Sequence, residues 1–253
     1  MIKILQVRNI DSFVESRRQK TSEKDRKTVQ AILNDVRKNG DSAVKKYERK
    51  FNGRKTSQLR VSAKEIKEAR SKISRKEISA LQTMSARLSN SSPKIQIRGS
   101  RKFVPIPSVG CYIPGGQARY PSSVVMSVIP AKIAGVKRIV IVSPPDRDGK
   151  IDPLTIVAAK KCGATEIYKI GGAQAIGALA YGTKSIPKVD KIVGPGGKFV
   201  SIAKSLVSDQ TAIDMIAGPT ELGIIADANS DPELIALDLI SQAEHSRDTM
   251  CFV

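Results

Sequence analysis

The sequence contains very little histidine and cysteine. His245 is the one histidine among 253 residues, and one imidazole cannot complete a metal site or a proton relay by itself. The three cysteines, Cys111, Cys162 and Cys251, are scattered and show no CxxC spacing. This odd set argues against a disulfide framework and favours a reducing, cytoplasmic location.

Long apolar runs are absent as well. No stretch of about 18 apolar residues occurs, so the sequence predicts no membrane-spanning segment. The start, MIKILQVRNIDSF, has too short an apolar stretch for a signal peptide and no small-residue cleavage site. An apolar content of 40% and a charged content of 26% are typical of a globular protein, and the length suffices for one large or two ordinary domains.

Acidic residues are scarce in the first part of the chain. Residues 1–100 hold 26 of the 43 Lys and Arg residues but 10 of the 24 Asp and Glu residues. Such a basic half is compatible with a nucleic-acid-binding module. Its lysines alternate with acids along predicted helical faces, however, and aromatic residues that would stack on bases are almost lacking there. A solvated basic surface is therefore the favoured interpretation.

The first 90 residues have a helical pattern. Val29, Ile32, Leu33 and Val36 recur at helical spacing, and Gly40 follows as a predicted C-terminal cap. Asp41 is the predicted cap of the next helix, while Ser62–Glu65 and Ser74–Glu77 have the form of capping boxes. The segment LSNSSPK, residues 88–94, breaks this pattern and is a candidate boundary.

After this boundary, short apolar runs alternate with helices of about ten residues. Examples are RIVIVSPP followed by DPLTIVAAKKCG, and VDKIVGPGG followed by KFVSIAKSLVS. Later, Asp231 and Pro232 have the positions of an N-cap and a first helical residue. The alternation predicts βαβ units and an α/β fold with a parallel sheet.

Three glycine-rich turns follow predicted strands. They are YIPGGQARYPSS (112–123), IGGAQAIG (170–177) and IVGPGGKF (192–199). Glycine permits close backbone approach to a ligand, and helix N-termini favour anions. None of the three is a GxGxxG fingerprint or a P-loop. Each is either a tight turn or a binding loop, and together they favour a dinucleotide or other phosphate ligand.

Five segments, in order and spacing, resemble histidinol dehydrogenase. They are YIPGGQARYPSSVVMSVIPAKIAGV, GGAQAIGALAYGT, VDKIVGPGG, AIDMIAGPTELGIIAD and DLISQAEHSRD. The resemblance is dense from about residue 105 to 250, whereas the basic N-terminal part matches only in pattern. It implies oxidation of L-histidinol to L-histidine in two NAD-dependent, zinc-assisted steps, by a homodimer whose active sites are shared between subunits.

The resemblance also assigns individual positions. It gives Tyr112 and Gln174 to NAD, and it gives Thr220 to the substrate in place of the family's usual serine. Gln242 and His245 correspond to residues that bind zinc and contact histidinol. Gly197 stands where the family has an asparagine that contacts NAD, so one hydrogen-bonding group is lost there at a cost of about 1 kcal/mol.

The family sequence continues well past Val253, the last residue of this sequence. The resemblance implies that the part beyond Val253 supplies the catalytic glutamate–histidine pair, together with an aspartate and a second histidine that complete the zinc shell. It therefore assigns no catalytic acid or base to these 253 residues. It also implies incomplete Rossmann-like domains: an arm over residues 1–21, a discontinuous domain over 22–111 and 221–253, and an inserted domain over 112–220.

Without the resemblance, the same residues have simpler interpretations. His245, three positions after Gln242 on a predicted helix, is a helix-end histidine or half of a metal site. Tyr112 packs beneath its loop or contacts a ligand, and Gln174 caps a helix or faces solvent. Cys111 is interpreted as a small buried side chain, because no histidine stands nearby to generate a thiolate.

Three hypotheses therefore stay open at this point. In the first, the chain is part of an ordinary histidinol dehydrogenase. In the second, it is a short, catalytically inactive paralogue that binds a nucleotide or a partner chain. In the third, its basic half binds nucleic acid, and binding would then depend steeply on salt.

Overall fold

A computed structural model of the chain describes residues 9, 11–13, 22–53, 58–91, 104–115, 119–216, 221–243 and 249–253. Helices α1 (Glu23–Asn39), α2 (Asp41–Asn52), α3 (Ala63–Ser71) and α4 (Arg75–Ser91) come first. Then β1 (Ser108–Tyr112), α5 (Pro121–Ile133), β2 (Arg138–Ser143), α6 (Pro153–Cys162) and β3 (Glu166–Lys169) follow. The chain continues through α7 (Gly172–Tyr181), β4 (Lys191–Val193), α8 (Lys198–Val207) and β5 (Ala212–Ile213) to β6 (Glu221–Gly223), α9 (Pro232–Ala243) and β7 (Met250–Phe252).

The predicted parallel α/β fold is confirmed. Five strands form one sheet in the order β3-β2-β1-β4-β5, and every neighbouring pair is parallel. The chain runs outward from β1 to β3 and then crosses back to place β4 on the other side of β1. This order matches the first five strands of the Rossmann order 3-2-1-4-5-6, in which ligands bind outside the carboxyl ends of the strands where the order reverses.

Helices cover both faces of this sheet. Val140 and Val142 of β2 point into a core shared with α1, α2, α7 and α8. Ile139 and Ile141 of the same strand point into a second core shared with α3, α4, α5 and α6. Because alternate residues of a strand face opposite sides, one short strand supplies both cores, which explains its unbroken apolar run from Ile139 to Val142.

The N-terminal helices begin and end largely where the sequence predicts. Gly40 ends α1, and Ser62–Glu65 forms a complete capping box at α3. Two details differ. The N-cap of α2 is Gly40, so Asp41 is the first helical residue rather than the cap. Helix α4 also continues to Ser91, through the first part of the segment expected to break it; residues 92–94 lie outside the described part.

A second, smaller unit contains β6, α9 and β7. The two strands pair in parallel, with Leu222 opposite Cys251, and α9 connects them. Asp231 accepts a hydrogen bond from the Glu233 N–H at 2.8 Å, as expected of an N-cap before Pro232. Leu234, Leu237 and Ile240 of α9 are more than half exposed. The domain boundaries proposed from the resemblance stay predictions.

None of the helices in the described ranges is long and apolar enough to cross a membrane.

Candidate functional site

The carboxyl ends of β1 and β4 meet at the point where the strand order reverses. Tyr112 is the last residue of β1, and Gly194 directly follows β4. Gly194 has a φ of 106°, and a Cβ atom built there would lie 2.1 Å from the Tyr112 carbonyl oxygen. Both the backbone angle and the close approach require glycine. The turn after β4 is therefore pressed against the end of β1.

A buried ion pair fixes this turn. The Gly194 N–H donates to Asp214 Oδ2 at 2.8 Å, and Lys204 Nζ donates to the Gly194 carbonyl oxygen at 3.0 Å. The ammonium group of Lys204 also pairs with Asp214. Burial raises the pKa of Asp214, but hydrogen bonds from Lys204, Gly194 and Met215 outweigh it and leave that pKa below its ordinary value. The turn is held from α8 on one side and from the end of β5 on the other.

The turn before α7 lies at the same edge of the sheet. The Gly172 N–H donates to the hydroxyl oxygen of Tyr112 at 3.1 Å, and the Gly171 N–H donates to Glu48 Oε1 at 2.9 Å. Burial raises the pKa of Tyr112 to about 12, against an opposing contribution from the Gly172 N–H. Two amides that an anion could have used are thus already bonded within the protein, and the Tyr112 phenol stays protonated near neutral pH.

Gln174 is buried in the first turn of α7. Its side-chain Nε2 donates to Glu48 Oε1 at 2.8 Å. Its Oε1 is buried and has no hydrogen-bond partner among the described residues. The residue is only 2% exposed, so the interpretation as a solvent-facing side chain is wrong, and its amide bonds Glu48 on another helix. A buried acceptor without a partner is unfavourable and is uncommon in proteins.

A cavity of about 570 Å³ opens beside this residue. That volume lies within the range of small-molecule and cofactor pockets. Its wall combines aromatic rings, aliphatic side chains and the α7 turn: Thr28, Ala31, Ile32, Tyr47, Lys50, Phe51, Pro144, Gly171, Gly172, Ala173, Gln174 and Phe199. Apolar walls with a few polar groups are typical of small-molecule and cofactor sites.

Gly197 is the N-cap of α8, two residues before the cavity-lining Phe199. Its φ is −65°, and a Cβ atom there would meet no atom of the described residues within 4 Å. Neither backbone geometry nor space therefore demands glycine at this position. An asparagine side chain would fit.

The predicted substrate and zinc residues are only partly described. Gln242 is partly buried in the last turn of α9, whereas Thr220 and His245 lie outside the described residues. Among the residues that are described, no group of three His, Cys, Asp or Glu side chains is placed to hold a metal ion. The structure thus brings Tyr112 and Gln174 to one turn, and the described donor set does not make up a zinc site.

The catalytic glutamate–histidine pair is expected beyond Val253. The glutamate that does stand beside the cavity, Glu48, is fully buried and bonded to the α7 turn, which does not suit it to exchange protons with a substrate. We therefore assign no catalytic acid or base to the described residues, and a pair located beyond Val253 stays a prediction.

Cys111 is confirmed as a small buried side chain. It is fully buried on β1, and burial together with the nearby Asp214 carboxylate raises its pKa to about 12. A thiol of such high pKa is a poor nucleophile.

Sequence reasoning missed Glu48 and Lys204. Glu48 stands in the run KKYERK, which has the composition of a solvated helix face, yet its side chain is fully buried. Lys204 in KFVSIAKSLVS is 2% exposed. The available signal is periodicity, because Glu48 lies one turn after the buried Val44 on the same face of α2.

Comparison with known proteins decides the family. The family model for histidinol dehydrogenase matches residues 15–253. The chain belongs to the histidinol dehydrogenase family. This match includes nearly all of the basic helical part.

Curated histidinol dehydrogenases are close in sequence. The protein of Bacillus licheniformis is 47% identical over 236 residues, which is 88% of this chain and 55% of that protein. The protein of Methanocaldococcus jannaschii is 44% identical over 238 residues, covering 89% of this chain and 56% of the relative. The chain therefore spans about half the length of the curated relatives it matches.

A solved structure supports the same assignment. The crystal structure of histidinol dehydrogenase from Elizabethkingia anophelis superimposes with a TM-score of 0.85 and 35% sequence identity. The similarity covers 96% of this chain and 59% of that one. Nearly the whole arrangement of helices and strands described above is thus shared with a family member of greater length.

Proposed function

We propose that this chain forms the NAD-binding part of a histidinol dehydrogenase that oxidises L-histidinol to L-histidine. The observation that carries the proposal is the buried Oε1 of Gln174, which has no hydrogen-bond partner among the described residues and belongs to a residue lining a cavity of about 570 Å³. Membership of the family supplies the reaction class. The chain spans about half the length of the relatives named histidinol dehydrogenase, so the complete activity also depends on their remaining part.

The cofactor site is proposed to include Tyr112, Gln174 and the backbone at Gly197. NAD supplies a hydride acceptor when it is bound. The Tyr112 hydroxyl already accepts from Gly172, which leaves its own proton for an acceptor on the cofactor. Gln174 offers an amide oxygen, and Phe51 and Phe199 offer rings that can pack against a base or a nicotinamide.

The zinc and substrate roles are proposed for Gln242, His245 and Thr220. Zinc usually takes about four ligands, and Gln242 with His245 supply two. A hydroxyl at Thr220 can hydrogen-bond to the substrate as the family's serine does by resemblance. The remaining ligands, and the glutamate–histidine pair that would move protons, are expected from the part that the longer relatives possess beyond the position of Val253. Homodimer formation with shared active sites is likewise proposed from the resemblance to the family.

The experiment is a complementation assay. The chain is produced alone and together with the C-terminal part of the Bacillus licheniformis relative as a second polypeptide, and NADH formation is followed with L-histidinol and zinc. The pair is expected to form two NADH for each histidinol, whereas the chain alone forms none. A Gln242→Ala/His245→Ala variant should abolish turnover by the pair while leaving the two polypeptides associated. Unchanged turnover by that variant would contradict the assigned roles, and an inactive but associated wild-type pair would favour the inactive paralogue.

A further inference from the structure

Glu48 links α2 to the start of α7. Its carboxyl group is fully buried, and one oxygen, Oε1, accepts from both the Gly171 N–H at 2.9 Å and Gln174 Nε2 at 2.8 Å. We infer that Glu48 is a positioning residue, which orients the Gln174 amide so that Oε1 accepts a hydrogen bond from the bound cofactor. This inference rests on the nucleotide site proposed above.

The orientation follows from the chemistry of the two ends of an amide. Nε2 can only donate and Oε1 can only accept, while Glu48 Oε1 already acts as an acceptor toward the Gly171 N–H. Turning the Gln174 amide over would place its oxygen against Glu48 Oε1, with two acceptors in contact and no proton between them. Glu48 therefore holds Nε2 toward itself and leaves Oε1 for a different partner. Without Glu48, both orientations of the amide would become accessible.

The orientation selects the chemistry of the ligand group. A buried acceptor gains from a donor placed opposite it and loses if another acceptor is placed there. The group that meets Gln174 is accordingly a hydroxyl, a carboxamide NH₂ or an exocyclic amine of the nucleotide. A phosphate offers acceptors at neutral pH and does not fit this position.

The backbone N–H groups of the turn before α7 also argue against a phosphate at this position. A free helix N-terminus attracts anions, because its first N–H groups lack partners. At α7, Glu48 already takes the Gly171 N–H and Tyr112 takes the Gly172 N–H. A carboxyl group thus stands where a phosphate would bind. The turn GGAQAIG is one of three glycine-rich turns that together favoured a dinucleotide or other phosphate ligand, and by this inference it presents an uncharged acceptor to a sugar or base.

The test is a double-mutant cycle on the full chain, read as the dissociation constant for NAD⁺. The variants are Glu48→Met, Glu48→Gln, Gln174→Met and both combinations with Gln174→Met. Glu48→Met should weaken binding about tenfold, and Gln174→Met should weaken it to a similar degree. Glu48→Gln should lose about twofold to threefold, because its amide oxygen can still accept from both N–H groups. In the Gln174→Met background, either change at Glu48 should raise the NAD⁺ dissociation constant by less than about twofold.

Asp41→Asn is the matched control. Asp41 belongs to the same helix and bonds Ser185, which follows α7, through its amide at 3.2 Å and its hydroxyl at 2.6 Å. Loosening α2 against α7 at that end should leave NAD⁺ affinity unchanged.

Equal losses from a Glu48 change with and without Gln174 would overturn the positioning role, as would unchanged affinity in Glu48→Met. If Glu48→Met does not fold, the two Glu48→Gln backgrounds decide alone: a loss confined to the background with Gln174 supports the role, and any other result overturns it. Failure of the wild-type chain to bind NAD⁺ would overturn the proposed cofactor site itself.

Discussion

At the scale of single residues, carboxyl groups from distant parts of the chain fix the loops of the candidate site. Glu48 bonds the turn before α7, and Asp214 bonds the turn after β4. Glu65 of α3 receives the Lys169 ammonium at 2.7 Å at the end of β3. Each interaction joins an N–H or ammonium donor at a strand or helix end to an acidic side chain on another element. The loops are therefore preorganised without a bound ligand.

Gly197→Asn should strengthen cofactor binding. The position has an ordinary φ and open space, so an asparagine fits and restores the side chain found there in the family by resemblance. One added hydrogen bond of about 1 kcal/mol lowers the NAD⁺ dissociation constant about fivefold. Titration with NAD⁺ measures this dissociation constant. Gly197→Ala is the control, because it adds a Cβ atom without an amide group. Equal effects of both changes would show that the amide is not responsible.

Lys204→Met should destabilise the fold. Lys204 is 2% exposed and pairs with Asp214, and breaking such a buried pair leaves a carboxylate without its cation. The expected loss in the free energy of unfolding is about 3 kcal/mol, measured by urea unfolding. Lys198→Met removes the partly exposed pair with Asp25 at the start of the same helix and should have little effect. Similar losses for both lysines would argue against the special role of the buried pair.

At the scale of elements, the strand ends are as tightly constrained as the cores. The turn after β4 approaches β1 so closely that only glycine is accommodated at position 194. The Arg138 guanidinium at the start of β2 bonds both carboxyl oxygens of Glu166, at 2.7 and 3.1 Å, and thereby ties β2 to β3. Tyr168 donates to the same carboxyl group at 2.7 Å. Polar contacts thus hold the ends of the strands, and apolar contacts hold the middle of the sheet.

Gly194→Ala should be strongly destabilising. A left-handed backbone costs a non-glycine residue about 1–2 kcal/mol, and overpacking against the Tyr112 carbonyl adds about 1–3 kcal/mol. Gly149→Ala is the matched control, because Gly149 also has a positive φ, of 73°, but has open space around it. Chemical denaturation of both variants separates the two contributions. A loss at Gly194 no greater than that at Gly149 would refute the close approach of the two strand ends.

Stability should fall in acid partly through Glu166. The hydrogen bond from Arg138, assisted by one from Tyr168, holds the pKa of Glu166 below its ordinary value despite burial. A depressed pKa contributes stability above the unfolded value of about 4.3, and that contribution is lost as the pH falls through the folded pKa. Thermal unfolding between pH 7 and 3 should therefore show a shallower acid decline for Glu166→Gln than for the wild type. Parallel declines would contradict the assignment.

The sequence predicts where helices and strands lie better than it predicts which distant residues contact one another. Apolar periodicity located α1 and the parallel strands, and the capping boxes at Ser62 and Ser74 located two helix starts, because these signals are local. The pairing of Glu48 with Gly171 and Gln174 joins residues more than 120 positions apart, and no local pattern encodes it. The burial of Gln174 likewise depends on helices α1 and α2, which only the folded chain places beside α7.

At the scale of the whole molecule, two apolar regions differ in how completely they are covered. The five-stranded sheet has helices on both faces, whereas α9 leaves Leu234, Leu237 and Ile240 more than half exposed. The longer relatives have nearly half of their length outside the region matched by this chain. The chain thus has a well-covered sheet domain that includes the candidate cofactor cavity, next to a small βαβ unit with open apolar surface.

The most direct measurement of the central claim is an NMR titration of the isotopically labelled chain with NAD⁺. Saturable shifts are predicted at the Gly171 and Gly172 amides, at the Gln174 side-chain amide and at Phe51 and Phe199 around the cavity. The Gln174→Met variant should require more NAD⁺ to reach the same shifts. Saturable shifts confined to residues away from the α7 turn, or no saturable shifts at all, would contradict the account.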